Sequence, residues 1–146
     1  MTLGILTTLW KRHAIARIVL EHYAHLDLSP VQSVRLAVGS EGHVSRSLAE
    51  QAGWEYLEHD NLPLSDKWNA GMAALKGRVD AVLIVGSDDI MTANAIRLSL
   101  SHIDLGADVV GLKDLYYYDT RNRQAYYGER HNPGAGMIAT SDVLDR

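Results

Sequence analysis

The sequence predicts an α/β domain in which a mainly parallel central sheet is flanked by helices, with a smaller aromatic β region in the C-terminal third. Three observations carry this expectation. Short apolar runs alternate with helical patterns through about residue 103. The run Ala81 to Val85 is apolar without a break, as for a central parallel strand buried on both faces. After residue 107 the pattern changes to tyrosine-rich segments separated by a polar, turn-like link.

The elements follow in order. Leu3 to Leu6 reads as a strand. From Lys11 to Leu26, Ile15, Ile18, Val19, Tyr23 and Leu26 share one helical face, and Ser29-Pro30 breaks the helix. Val34, Leu36 and Val38 alternate as a second strand, which ends at Gly39-Ser40-Glu41-Gly42. A short helix over His43 to Ala52 closes at Gly53, and Trp54 to Leu57 gives a third strand. Ser65 or Asp66 caps a helix to about Leu75, which Lys76-Gly77 terminates. Ala81 to Val85 is the fourth strand, and Thr92 or Asn94 caps a helix through about His102. This order implies parallel strands joined by right-handed crossovers, with helices on both sheet faces. Ala107 to Leu112 is mostly apolar, and Leu115 to Tyr118 and Gln124 to Gly128 read as aromatic strands or a hairpin. Asn132 to Gly136 is a loop, and Ser141 caps what starts as a last helix.

Bulk properties bound the function. With 146 residues, 47% of them hydrophobic and 22% charged, the chain is one domain with a real core. No apolar run approaches the ~20 residues that cross a bilayer, and the basic residues after MTLGILTTLW stand in the wrong order for a signal peptide. The chain has no cysteine, which removes disulfides and thiolate metal sites and suits a reducing, cytoplasmic setting. A net charge of −4 argues against a general nucleic-acid-coating surface.

The chemistry concentrates at VLIVGSDDI, residues 82 to 90. A buried strand runs into Gly86, Ser87 and two adjacent carboxylates, Asp88 and Asp89. Ligands of parallel α/β sheets bind at the carboxyl ends of the strands, so the pair falls in the expected site. Like charges this close need a cation between them, and a hard divalent ion held by one or two carboxylates and a ligand's phosphates meets that need. A cluster that caps the following helix is the bland alternative. Arg12, with Lys11, follows the first strand and suits either a phosphate contact or a plain surface charge. Trp10, Trp54 and Trp68 read as core or rim packing. His22 and His25, three apart on a helix, lack a third ligand.

Lys67, Asn69, Gly71, Gly77, the strand Val82 to Val85 and Gly86-Ser87-Asp88-Asp89, in that order and spacing, resemble the nucleotide-sugar-binding half of family 2 glycosyltransferases. ILTTLWKR at the N-terminus is similar to that family's first strand and nucleoside loop. The resemblance covers residues 3 to 90 well and 107 to 146 loosely. It implies a Rossmann-like GT-A fold over one domain, 1–146. Residues 1–103 would form the nucleotide-sugar-binding half, and 104–146 an incomplete start of the acceptor side. It implies a metal-dependent glycosyltransferase that binds a nucleoside-diphosphate sugar with Mn²⁺ or Mg²⁺ and passes the sugar to an acceptor hydroxyl.

Through the resemblance, Thr7, Thr8 and Leu9 begin the nucleoside-binding loop, and Lys67 stands where an arginine often lies near the nucleotide. Asp88 matches the usual metal ligand, with Asp89 beside it and His131 as a late third ligand. Two departures stand out. The first Asp of the family's metal motif is Gly86 here, which leaves the ribose contact to Ser87 or Asp89. The acid that ends the second strand is displaced, so Glu41 or Ser40 would read the base. The catalytic base of inverting members falls in the segment that starts at Asp142. Read from the residues themselves, Tyr116, Tyr117 and Tyr118 pack a sheet face on alternate positions. The floor of an acceptor site is the alternative for one or two of them, since aromatic faces stack on sugar rings or bases. A Mg²⁺-dependent nucleotidyltransferase is a second expectation, weakened because TTLWKRH lacks that class's loop glycines. A non-catalytic module that binds a nucleotide sugar or a partner is a third.

Overall fold

A computed structural model describes residues 1–129 and 136–141. Its elements are β1 (Thr2–Leu9), α1 (His13–His25), β2 (Gln32–Gly39), α2 (His43–Gln51), β3 (Glu55–Glu58), α3 (Leu64–Leu75) and β4 (Ala81–Ile84). They continue as α4 (Ala93–Asp104), β5 (Val109–Val110), β6 (Asp114–Asp119), β7 (Gln124–Glu129) and β8 (Met137–Thr140). The fold class is as the sequence predicts. A six-stranded sheet has the order β3-β2-β1-β4-β8-β5, and β3, β2, β1 and β4 pair in parallel.

Alternation along β1 explains the layering. Leu3, Ile5 and Leu9 enter a core cluster with Val19, Leu20 and Tyr23 of α1, Leu48 of α2, and Ile96 and Leu100 of α4. Leu6 turns to the opposite face and packs with Leu36, Val38, Leu75 and Val82, against Trp68 and Met72 of α3. Three helices thus cover one face and α3 the other, because side chains of a strand point alternately to its two sides.

Helix boundaries differ from expectation at one end. α3 starts at Leu64 with Pro63 in the cap position and no side-chain cap, so Ser65 and Asp66 lie inside its first turn. The Asp66 charge is favourable there all the same. α4 is capped by Thr92, whose hydroxyl accepts from the Ala95 N–H at 3.2 Å. β8 was not anticipated. It runs antiparallel to β4, with Leu83 opposite Ile138, and also pairs β5. β6 and β7 form a separate antiparallel hairpin, with Tyr116 opposite Tyr127 and Tyr117 opposite Tyr126. No described helix is long and apolar enough to cross a membrane.

Candidate functional site

β4 ends in a tight turn. The Asp89 N–H donates to the Gly86 carbonyl at 3.2 Å, and the Asp89 carboxylate folds back to accept from the Gly86 N–H at 3.0 Å. A Cβ added at Gly86 would lie 2.5 Å from Asp89 Oδ2. The glycine that replaces the expected acid therefore leaves room for the folded-back carboxylate. Burial pushes the Asp89 carboxyl above its ordinary range, the Gly86 N–H opposes this, Asp88 adds to it and Arg12 opposes it. The turn is anchored from below by Tyr23 of α1. Its hydroxyl accepts from the Met91 N–H at 2.9 Å and donates to the Asp89 carbonyl at 3.3 Å. Desolvation raises the Tyr23 phenol far above its usual range, so it stays a neutral bridge at any working pH.

The loop after β1 meets this turn. Lys11 and Arg12 both adopt left-handed backbone, with φ of 53° and 47°, a conformation that costs a residue with a side chain about 1–2 kcal/mol. Two long-range contacts hold it. The Lys11 N–H donates to Glu41 Oε2 at 2.7 Å. The Arg12 guanidinium donates to Asp88 at 2.8 and 3.4 Å and to Ser87 Oγ at 3.3 Å. Glu41 also pairs with His13 at 2.9 Å and accepts from Ser45 Oγ at 3.4 Å. Burial alone would raise the Glu41 carboxyl, but the hydrogen bonds from His13 and the Lys11 N–H, with the His13 charge and Ser45, bring it below its ordinary range. The Arg12–Asp88 pair is open to solvent, with 58% and 41% of the two side chains exposed. Such pairs contribute about 0–1 kcal/mol, so either partner can exchange the other for a ligand at small cost.

Lys67 lies elsewhere. It has no exposed surface, and its ammonium donates to the Leu9 carbonyl at 2.6 Å and to Ser40 Oγ and Asn61 Oδ1 at 3.1 Å each. An ammonium has three donors, so all are used inside the protein. It ties the ends of β1 and β2 to the loop before α3. Desolvation lowers its pKa, and the charges of Glu41 and Glu58 counter that. Thr7 and Leu9 are enclosed and Thr8 is half-buried. The Thr7 hydroxyl is buried with no hydrogen-bond partner. Arg12, Ser87 and Asp88 are thus brought together, Glu41 braces them through Lys11 and His13, and Lys67 stands behind them.

Among the described residues no group of three or more His, Cys, Asp or Glu side chains is arranged to hold a metal. His131 and Asp142 lie outside the described residues. The His22 Nε2–H donates to the Met91 carbonyl at 2.8 Å, and the His25 Nδ1–H donates to the Glu21 carbonyl at 2.8 Å, so the two serve separate backbone contacts. Trp54 is core, whereas Trp10 is 48% exposed beneath the Lys11 ammonium, 4.4 Å from its ring centroid. Sequence reasoning missed the turn-bridging role of Tyr23 and the brace formed by Glu41 and His13. Tyr23 reads simply as one apolar-face position of a helix.

Beside the turn lies a cleft of about 640 Å³, lined by Asp88 and Asp89 with residues of α1, the start of α4 and β6.

No family model matches the chain, and no curated protein matches it. Solved structures do, at the level of the fold. The 4-diphosphocytidyl-2C-methyl-D-erythritol synthase of Anaerococcus prevotii aligns with a TM-score of 0.64 at 9% identity, over 98% of this chain and 71% of that one. CMP:2-keto-3-deoxy-manno-octonic acid synthetase in complex with CTP gives 0.62 at 11% identity, over 99% and 76%. S. aureus TarS, residues 1–349, gives 0.56 at 13%, over 75% of this chain and 34% of that one.

Proposed function

We propose that this chain is a nucleotide-dependent transferase that binds a nucleoside-diphosphate sugar and passes the sugar to an acceptor hydroxyl. One observation carries the reading. Arg12, Ser87 and Asp88 converge at the carboxyl ends of the central strands β1 and β4, where ligands of such sheets bind, in a weak surface contact that a ligand can displace. The fold shared with a CTP-bound synthetase supports a nucleotide as that ligand.

The residues fit a hard cation in kind. Asp88 and Asp89 supply oxygen donors, and Mg²⁺ or Mn²⁺ needs only one or two carboxylates when phosphates complete its shell, so the lack of a larger acidic cluster is no obstacle. Bound there, such a cation would offset the charge on the departing diphosphate. Arg12, released from Asp88, reaches a phosphate oxygen, and Ser87 hydrogen-bonds the nucleotide. Lys67 acts by position, as it fixes the backbone at Leu9 and the side chains of Ser40 and Asn61 on which the base would rest. In the transfer, the bond from the sugar's anomeric carbon to the phosphate oxygen breaks and its electron pair leaves with the diphosphate. The acceptor oxygen bonds to that carbon and gives its proton to a carboxylate, a role for which the sequence offers Asp142.

Nucleotidyl transfer is the second reading, and one observation favours it. Lys11 and Arg12 hold the left-handed backbone that glycines provide in phosphate-binding loops, so the lack of glycine in TTLWKRH is no longer an objection. Charge favours the diphosphate. With Lys67 enclosed, the Arg12 guanidinium reaches the carboxylate turn while the neighbouring Lys11 ammonium lies over Trp10, a modest positive charge that suits two phosphates better than three. The test is product analysis with Mn²⁺ over a panel of nucleotide sugars and nucleoside triphosphates. Release of a nucleoside diphosphate from a nucleotide sugar is expected. Pyrophosphate release from a triphosphate, with nucleotide sugars untouched, would replace the first reading by the second.

A further inference from the structure

The cleft next to the carboxylate turn has walls of a kind that a bare sugar acceptor does not explain. Its floor is aliphatic, with Ile15, Ile18 and Val19 of α1 and Met91. Ile18 is 57% exposed, although it shares a helix with fully enclosed core residues, so an apolar surface faces an open cavity. The roof is one face of the hairpin. Asp114, Tyr116 and Tyr118 alternate along β6 and all line the cleft. The two rings are 74% and 63% exposed. Tyr116 is steadied by the Tyr127 ring at 5.4 Å between centroids. Asp114 is held by the Tyr127 hydroxyl, which donates to it at 2.9 Å. The volume of about 640 Å³ falls in the ~300–1,000 Å³ range of small-molecule sites.

Charge narrows the occupant. The ionisable acids and bases in the described lining are Asp88, Asp89 and Asp114, besides the tyrosine phenols. Arg12 offsets Asp88 at 2.8 Å, which leaves Asp89 and Asp114 to disfavour an anionic ligand, because like charges brought together oppose binding. Tyrosine rings over an aliphatic floor favour a flat apolar body.

We propose that this cleft is the acceptor site and takes a neutral or cationic molecule with an aromatic body, its hydroxyl directed to the Asp88–Asp89 end. The assignment rests on the transferase reading for the word acceptor, whereas the class of ligand rests on the cleft alone. Three probes with one ring and different charge separate the alternatives: tyramine, 4-hydroxybenzyl alcohol and 4-hydroxyphenylacetate, with methyl glucoside as the sugar control. Saturation-transfer NMR on the full chain is expected to show the first two bound, the carboxylate at least about tenfold weaker, and no glucoside signal. Ile18→Asp, on an exposed helix position, should abolish the aromatic signals, and Tyr118→Ala should weaken them, with both variants retaining the wild-type circular dichroism. Preference for the carboxylate or the glucoside, or undiminished tyramine binding in Ile18→Asp, would overturn the proposal. Nucleotide titration of the same samples separates the two claims. Tyramine bound without any nucleotide binding leaves the ligand class standing and removes the transferase reading. Nucleotide bound without tyramine does the reverse.

Discussion

Glu41 accepts hydrogen bonds from the Lys11 N–H, His13 and Ser45, and its carboxylate is one of the two anchors that keep the strained Lys11–Arg12 backbone in place. Its pKa is lowered in the folded state, so its contribution is present above its unfolded value and is lost as pH falls through the folded one. Glu41→Ala is expected to cost about 1–2 kcal/mol at pH 7, in the range of a charge-assisted hydrogen bond, with the gap to wild type closing as the pH falls below about 4. Thermal unfolding across pH measures this, and a constant gap at every pH would refute it. Arg12 gives the complementary prediction. It neutralises Asp88 in the free protein, so Arg12→Ala should tighten Mn²⁺ binding without nucleotide and weaken nucleotide binding at saturating Mn²⁺, each by several-fold. Electron paramagnetic resonance of Mn²⁺ and nucleotide titration report the two effects separately. Unchanged Mn²⁺ binding would mean that Arg12 does not compete for Asp88.

At the scale of elements, α3 sits on the sheet at a distance that only a glycine permits. A Cβ at Gly71 would lie 2.5 Å from Leu6 Cδ1 and 2.9 Å from Val38 Cγ2. Gly71→Ala should therefore destabilise by about 1–3 kcal/mol through overpacking, seen as a lower denaturation midpoint with an unchanged slope. α1 presents the other prediction. Tyr23→Phe leaves the Met91 N–H without its hydroxyl acceptor and should cost about 1–3 kcal/mol, with a looser carboxylate turn and weaker nucleotide binding. Equal stability of Tyr23→Phe and wild type would contradict the bridging role. The elements through α4 were legible in the sequence because each carries a local period, of 3.6 in α1 and of 2 in β2, or an unbroken buried run as in β4. β8 was not, because four residues after a glycine-rich stretch carry too short a pattern, and its partner β4 is more than fifty positions away. The start of α3 was misplaced because Ser65 and Asp66 have the chemistry of a cap, whereas Pro63 took the position.

Across the whole molecule, the site is assembled from contacts that sequence order hides. The residue types at the tip of β4 pointed to charge chemistry, and the strand order placed them at the ligand end of the sheet. The pairing of Arg12 with Asp88 across 76 positions had no local signal, and nothing local in the sequence marks Lys67, expected near the nucleotide, as a lysine the fold encloses. The left-handed loop was hidden because its residues are not glycine. The central claim is that this end of the sheet holds a nucleotide through Asp88 and a divalent cation. Isothermal titration of UDP, GDP, CDP and dTDP into wild type and Asp88→Ala, with Mn²⁺ and then with EDTA, tests it most directly. The account predicts that one nucleotide binds wild type with Mn²⁺, and that binding is lost with EDTA and in Asp88→Ala. Absence of binding by all four, or binding indifferent to both Mn²⁺ and Asp88, would contradict it.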